Sequence, residues 1–140
     1  MSAVVKEFSS FSELLKSIDA ELATLKQQLA DYLRKLEDIR TKSEQEKKLK
    51  ELLKTLTGEE AAPKGKVADL KVVKLYINPD AEQEASVMGE IIDRINKAVQ
   101  NLQNIRKALE PLSGIEVEAK IVVVYKEGVP SIIMLKLAGV

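Results

Sequence analysis

Asp80, Glu82 and Glu84 crowd one short stretch of the chain, and Glu59 and Glu60 stand side by side earlier. Clustered carboxylates are the hard oxygen donors that magnesium and calcium take. The spacing of an EF-hand loop is missing, however, and acidic residues at a helix start complement the positive end of its dipole. We read these carboxylates as helix-start charges and assign no metal ligand. The stretch "PKGK", Pro63 to Lys66, places a lysine after a glycine as a phosphate loop does. It lacks the full G-x-x-x-x-G-K-[ST] pattern and precedes a predicted strand, where a phosphate loop follows one. Tyr32, Tyr76 and Tyr125 each fall within an apolar pattern with no sequence neighbour that would bring a phenol toward neutral pH. Packing, with each hydroxyl at a boundary, is their expected role.

The chain contains no cysteine and no histidine. Disulfides are excluded, as are zinc sites built on thiolate or imidazole. No side chain ordinarily titrates near neutral pH, so acid–base catalysis would need a strongly shifted carboxylate, lysine or tyrosine. The expectation is a protein that is not an enzyme, with no catalytic residue and no cofactor.

Twenty-two basic residues balance twenty-two acidic ones, so no net charge draws the chain to nucleic acid or to an anionic membrane. The most basic local run is "KKLKELLK", Lys47 to Lys54. In a dimer, Lys42, Lys47, Lys48, Lys50 and Lys54 from two chains could line up against phosphates. Glu44, Glu46 and Glu51 dilute that patch, and no aromatic residues interleave for base stacking. A nucleic-acid-associated module is thus a second reading, and a small-ligand or metal-dependent enzyme at a subunit interface a third.

The elements that carry these residues follow from apolar spacing. Phe8, Phe11, Leu15, Ile18, Leu22, Leu25, Leu29, Tyr32, Leu36 and Ile39 recur in steps of three and four. That spacing is a coiled-coil-type seam. Ser10 and Glu13 form a capping box, and no glycine or proline appears before Gly58, so a helix is predicted from about Ser9 to Leu56. The seam falters over Thr41–Lys48, where its continuation would bury Ser43, Glu46 and Lys50, and leucines return out of register at Leu49, Leu53 and Leu56. Thr41 and Ser43 each begin a second capping-box pair, but nothing there is a strong breaker, and a continuous helix is favoured.

"GEEAAPKGK", residues 58–66, reads as a linker between a helical arm (1–57) and a β-α-β-β domain (67–140). "ADLKVVKLYI" reads as one strand. Asn78 or Asp80 caps a helix with Pro79 suiting its first turn, Asp80 with Gln83 offers a capping box, and Pro111 and Gly114 end the helix. "GIEVEAKIVVVY" alternates strictly, "KEGVP" turns, and "SIIMLKL" returns as a hairpin. A strand–helix–strand crossover predicts a parallel pair, so the fold class is α+β with a three-stranded mixed sheet. Val72, Val122, Val124, Ile132 and Met134 are expected on a sheet face that needs a cover.

Helices over Ser9–Ile39 and Asp80–Glu110 are each about 46 Å long, while a 74-residue globule spans only about 30 Å. Both therefore overhang. Leu14, Leu33 and Leu49 flank the main seam and widen it beyond what two helices need. The expected protein is a self-associating scaffold, adaptor or assembly factor. Its partner would be a second copy in an antiparallel helical bundle, and the seam residues Phe8 to Ile39 its oligomer interface. The opening "MSAVVKEFSS" lacks a signal-peptide pattern, and no apolar run reaches the ~20 residues of a bilayer span, so a cytoplasmic location is expected. Lysine and glutamate dominate the charges and cysteine is absent, which tilts the source toward a thermophile.

Overall fold

A computed structural model describes residues 4–59, 65–115 and 119–137. The elements run β1 (Val5–Phe8), α1 (Phe11–Thr57), β2 (Lys66–Asp69), β3 (Lys74–Ile77), α2 (Ala81–Leu109), a 3-10 turn (Glu110–Leu112), β4 (Ala119–Lys126) and β5 (Val129–Leu137). The class is α+β, and α1 is unbroken through 41–48. Glu60, the linker over 60–64 and the 116–118 part of the predicted alternation lie outside the described residues.

Local chemistry sets the helix starts. The Ser10 hydroxyl accepts the Glu13 N–H at 3.1 Å, and the Glu13 carboxylate accepts the Ser9 N–H at 3.0 Å. That backbone bond holds the Glu13 carboxyl below the usual glutamate range. At α2 the Asp80 carboxylate accepts the Gln83 N–H at 2.8 Å, and the Gln83 side chain accepts the Asp80 N–H at 3.1 Å. Both capping boxes stand as the spacing predicts.

Three expectations need correction. Phe8 does not begin the helical seam; it ends β1, paired with Ile121. "ADLKVVKLYI" is not one strand but a hairpin, β2 against β3, with Val67 opposite Tyr76. Its bend is made locally: the Asp69 carboxylate accepts the Lys71 N–H at 2.9 Å, Lys71 takes φ 72°, and Leu70 N–H donates to the Val73 carbonyl at 2.9 Å. An aspartate that satisfies the backbone two residues on is a turn former even inside a β-branched run. Consequently, among the described residues, no parallel crossover forms. The three-stranded sheet is wholly antiparallel, in the order β1-β4-β5, with β1 in the place given to the misread strand.

The chain forms two compact units that interleave the sequence: Met1–Leu29 with Arg94–Val140, and Ala30–Asp93. Each long helix contributes to both.

The first unit holds most of the core. Its buried side chains are Phe11, Leu14, Leu15, Ile18 and Leu22 of α1, Ile95, Val99, Leu102 and Leu109 of α2, and Ile121, Val122 and Val123 of β4. Leu14, Leu102, Ile121 and Val123 lose nearly all contact with water. Leu14, off the seam by spacing, is thus at the centre of this unit's own core. Lys6, Ser17, Ile18, Leu102, Tyr125 and Pro130 line one small cavity, which places both helices on the sheet face of Ile121, Val123 and Tyr125. The Asp19 carboxylate accepts from Arg106 at 2.5 and 3.4 Å and joins α1 to α2 in this unit. The hairpin β4–β5 turns at Glu127 (φ 54°) and Gly128 (φ 78°), the two left-handed residues that a type I′ turn requires.

In the second unit, Leu36, Ala81 and Ile92 are buried. Its hairpin is only two strands wide, and its turn residue Val72 is 94% exposed. That valine is therefore not part of a sheet face awaiting a cover.

Candidate interaction surface

The seam residues fall into different environments. Phe11, Leu15, Ile18 and Leu22 are buried inside the first unit, and Leu36 inside the second. Phe8, Leu25, Leu29, Tyr32 and Ile39 are half-buried. Lys35 sets its ammonium 5.1 Å from the Tyr32 ring centroid, so this tyrosine packs under a cation.

Beyond Ile39 the heptad continues in burial though not in polarity. Ser43, Glu46 and Lys50, the next positions of the seam, are half-buried. Leu49, Leu52, Leu53 and Leu56 are exposed, at 56%, 53%, 43% and 72%. At 3.6 residues per turn these four leucines share an arc of about 100°. The centre of that arc lies more than about 100° around the helix from the Leu36–Ile39 line. Helix formation therefore sorts α1 into an inward polar-tipped face and an outward leucine stripe. The i, i+3, i+4, i+7 spacing of the stripe was legible in the sequence, and Leu52 completes it.

The hairpin of the same unit adds exposed apolar side chains at Val67, Leu70, Val73, Leu75 and Ile77. A shallow apolar depression of about 250 Å³ lies between Tyr76, Pro79, Val87 and Met88. Exposed apolar surface on this scale, on one small unit, marks an interaction site more often than a free surface.

The basic residues are only partly brought together. Lys47, Lys50 and Lys54 fall within about 60° of helix arc, Lys42 lies about 80° from Lys50, and Lys48 points away from the group. All are exposed except Lys50, which is half-buried.

The groups with catalytic potential occupy structural positions. Asp80 serves the α2 cap. Tyr125 is pushed up by burial, with the nearby Glu21 charge adding to the shift and a hydrogen bond from Ser17 opposing it. Its ring also lies 5.2 Å from the Lys6 ammonium. A phenol held protonated in this way is a poor base. Gly89 in α2 is exposed, and a Cβ added there would meet nothing within 4 Å, so among the described residues no other element packs closely against it. Among the described residues no group of three histidine, cysteine, aspartate or glutamate side chains is placed to hold a metal ion. Among the same residues no helix is long and apolar enough to cross a membrane.

Compared with protein-family models, curated proteins and solved structures, the chain gives no significant match.

Proposed function

We propose that the protein is a non-enzymatic, self-associating scaffold or assembly factor that works through helix packing. The observation that carries the reading is the stripe Leu49, Leu52, Leu53 and Leu56, exposed along one line of a continuous helix. Four exposed leucines at this spacing form the seam that a second helix covers. Burying a leucine side chain contributes about 1.5–3 kcal/mol before the costs of association, so such a stripe favours a partner. The half-buried residues Leu25, Leu29, Tyr32 and Ile39 supply further apolar surface on the same helix. A second copy is the simplest partner, because its stripe is present at the same concentration and C2 symmetry lets one patch serve both chains.

Light scattering with chromatography tests this. The intact chain is expected to be at least dimeric. The triple substitution Leu49→Glu, Leu53→Glu, Leu56→Glu is expected to lower the mass while leaving helical circular dichroism unchanged. An intact chain that is monomeric at tens of micromolar would overturn the reading.

A second reading rests on Lys47, Lys50 and Lys54 sharing one flank of α1. A nucleic-acid-associated module would use them against phosphates, and its binding to DNA or RNA would weaken steeply with salt. Binding that stays absent at low salt removes that alternative.

A further inference from the structure

The first unit has an edge that the helix-packing reading does not use. β5 is the outer strand of the sheet β1-β4-β5, and among the described residues no strand pairs with its far side. It is nine residues long, and its apolar side chains are exposed on both faces: Ile132 and Met134 on one, Leu135 and Leu137 on the other. Natural edge strands are usually short, charged or bulged along their length. This one carries one charge, Lys136, and its Pro130 and register shift lie at the hairpin end, beside Val124/Tyr125. Beyond that irregularity, which leaves Ser131 unpaired, the stretch Ile132–Leu137 carries Lys136 as its one such block.

Its hydrogen-bonding pattern can be read from the other edge. Tyr125 N–H donates to the Val4 carbonyl at 2.7 Å, so Tyr125, and by alternation Val123 and Ile121, turn their backbone groups toward β1. Val122 and Val124 then bond β5, through Met134 and Ile132. On β5 the backbone groups of Ile133, Leu135 and Leu137 consequently point outward, away from β4. Water satisfies them in the single chain, and they form a ready template for a further strand.

We infer that β5 pairs antiparallel with β5 of a second copy, joining two three-stranded sheets into one of six strands. A two-fold axis at Met134 uses Ile132–Lys136, the regular part of the strand. It sets Ile133 against the partner copy's Leu135, and Ile132 against its Lys136. The face of Ile133 and Leu135 is then extended by like side chains, and on the other face Met134 meets Met134 between two Ile132–Lys136 pairs. The two Lys136 ammoniums stand about 14 Å apart along the strands, so the only charges do not meet. A strand edge demands another strand, which distinguishes this contact from the leucine stripe and makes the two interfaces independent.

The absence of cysteine makes the test clean. At the two-fold the Met134 residues form a non-hydrogen-bonded pair with Cα atoms about 4.5 Å apart, within disulfide range. Met134→Cys is expected to give a covalent dimer under mild oxidation, both in the otherwise native chain and in the triple leucine-to-glutamate chain. Leu135→Pro removes an outward N–H without touching the bonds to β4, and is expected to abolish that cross-link while keeping the sheet signal in circular dichroism. Leu135→Lys, which leaves the backbone intact, is expected to weaken cross-linking in the same direction. By light scattering, the triple variant is expected to stop at a dimer, and the triple variant carrying Leu135→Pro to be a monomer. Absence of a cross-link, a cross-link untouched by Leu135→Pro, or one lost in the triple variant would overturn the β5 contact. A triple variant of unchanged mass that still cross-links would uphold β5 pairing and sink the leucine stripe instead.

Discussion

In the unit formed by Met1–Leu29 and Arg94–Val140, apolar side chains from two helices and a sheet cover one another; in the unit Ala30–Asp93, many face water. Leu14 and Leu53 sit on the same helix and differ almost completely in burial, at 0% and 43% exposed. The difference lies in what the chain provides opposite each face. The first unit has a sheet with an inner face of Ile121 and Val123. The second has a two-stranded hairpin, which is marginal in water without something to pack on. The first unit thus spends the apolar residues of its helices and of β4 on its own fold and leaves those of β5 exposed, whereas the second leaves both its helix stripe and its hairpin exposed.

The largest test of that contrast is a matched pair of truncations. Leu14→Ala is expected to lower stability by about 2–5 kcal/mol in urea unfolding, since it leaves a cavity in a closed core. Leu53→Ala in a chain carrying Leu49→Glu and Leu56→Glu is expected to change it by less than about 0.5 kcal/mol, as an exposed substitution does. Similar losses at the two sites would erase the distinction. Next in size, Gly89→Ala should raise stability by about 1 kcal/mol, because the site is helical, exposed and open around the new methyl. A thermal melt checks it, and a drop in midpoint would reveal a close neighbour at the second unit's helix.

The smallest expected effect is electrostatic and belongs to the first unit. Hydrogen bonding to Arg106 holds the Asp19 carboxyl below its usual range. A carboxyl depressed in the folded state contributes stability that is complete above its unfolded pKa, about 3.9, and is lost as pH falls through the lower folded value. Glu13, depressed by the Ser9 backbone N–H, acts in the same direction. Asp19→Asn should therefore flatten the acid limb of stability against pH and leave it little changed in slope above neutrality. An acid limb identical to that of the native chain would show that the pair contributes nothing.

Much of the architecture was legible. Capping boxes at Ser10/Glu13 and Asp80/Gln83, the absence of breakers over 41–48, and the "KEGVP" turn each act within a few residues, and each appears as the spacing says. What misled were competitions between local and distant partners. Phe8 continues a three–four spacing, but Ser9 and Ser10 cap the helix after it, and β4 offers it a strand. Val72 and Val73 favour a strand, but Asp69 bends the backbone under them. The seam was visible as a stripe, whereas its coverage depended on β1, β4 and α2 arriving from far along the chain. The leucine stripe was legible as spacing but not as surface, because exposure is a property of the folded unit.

The most direct test is the access of a soluble paramagnetic probe to leucine methyl groups, measured by NMR at low and high protein concentration. The methyls of Leu49, Leu52, Leu53 and Leu56 are expected to be broadened by the probe in dilute solution and to become shielded as concentration rises, while those of Leu14 and Leu102 stay shielded throughout. Stripe methyls that stay equally accessible at every concentration would contradict self-association through the stripe.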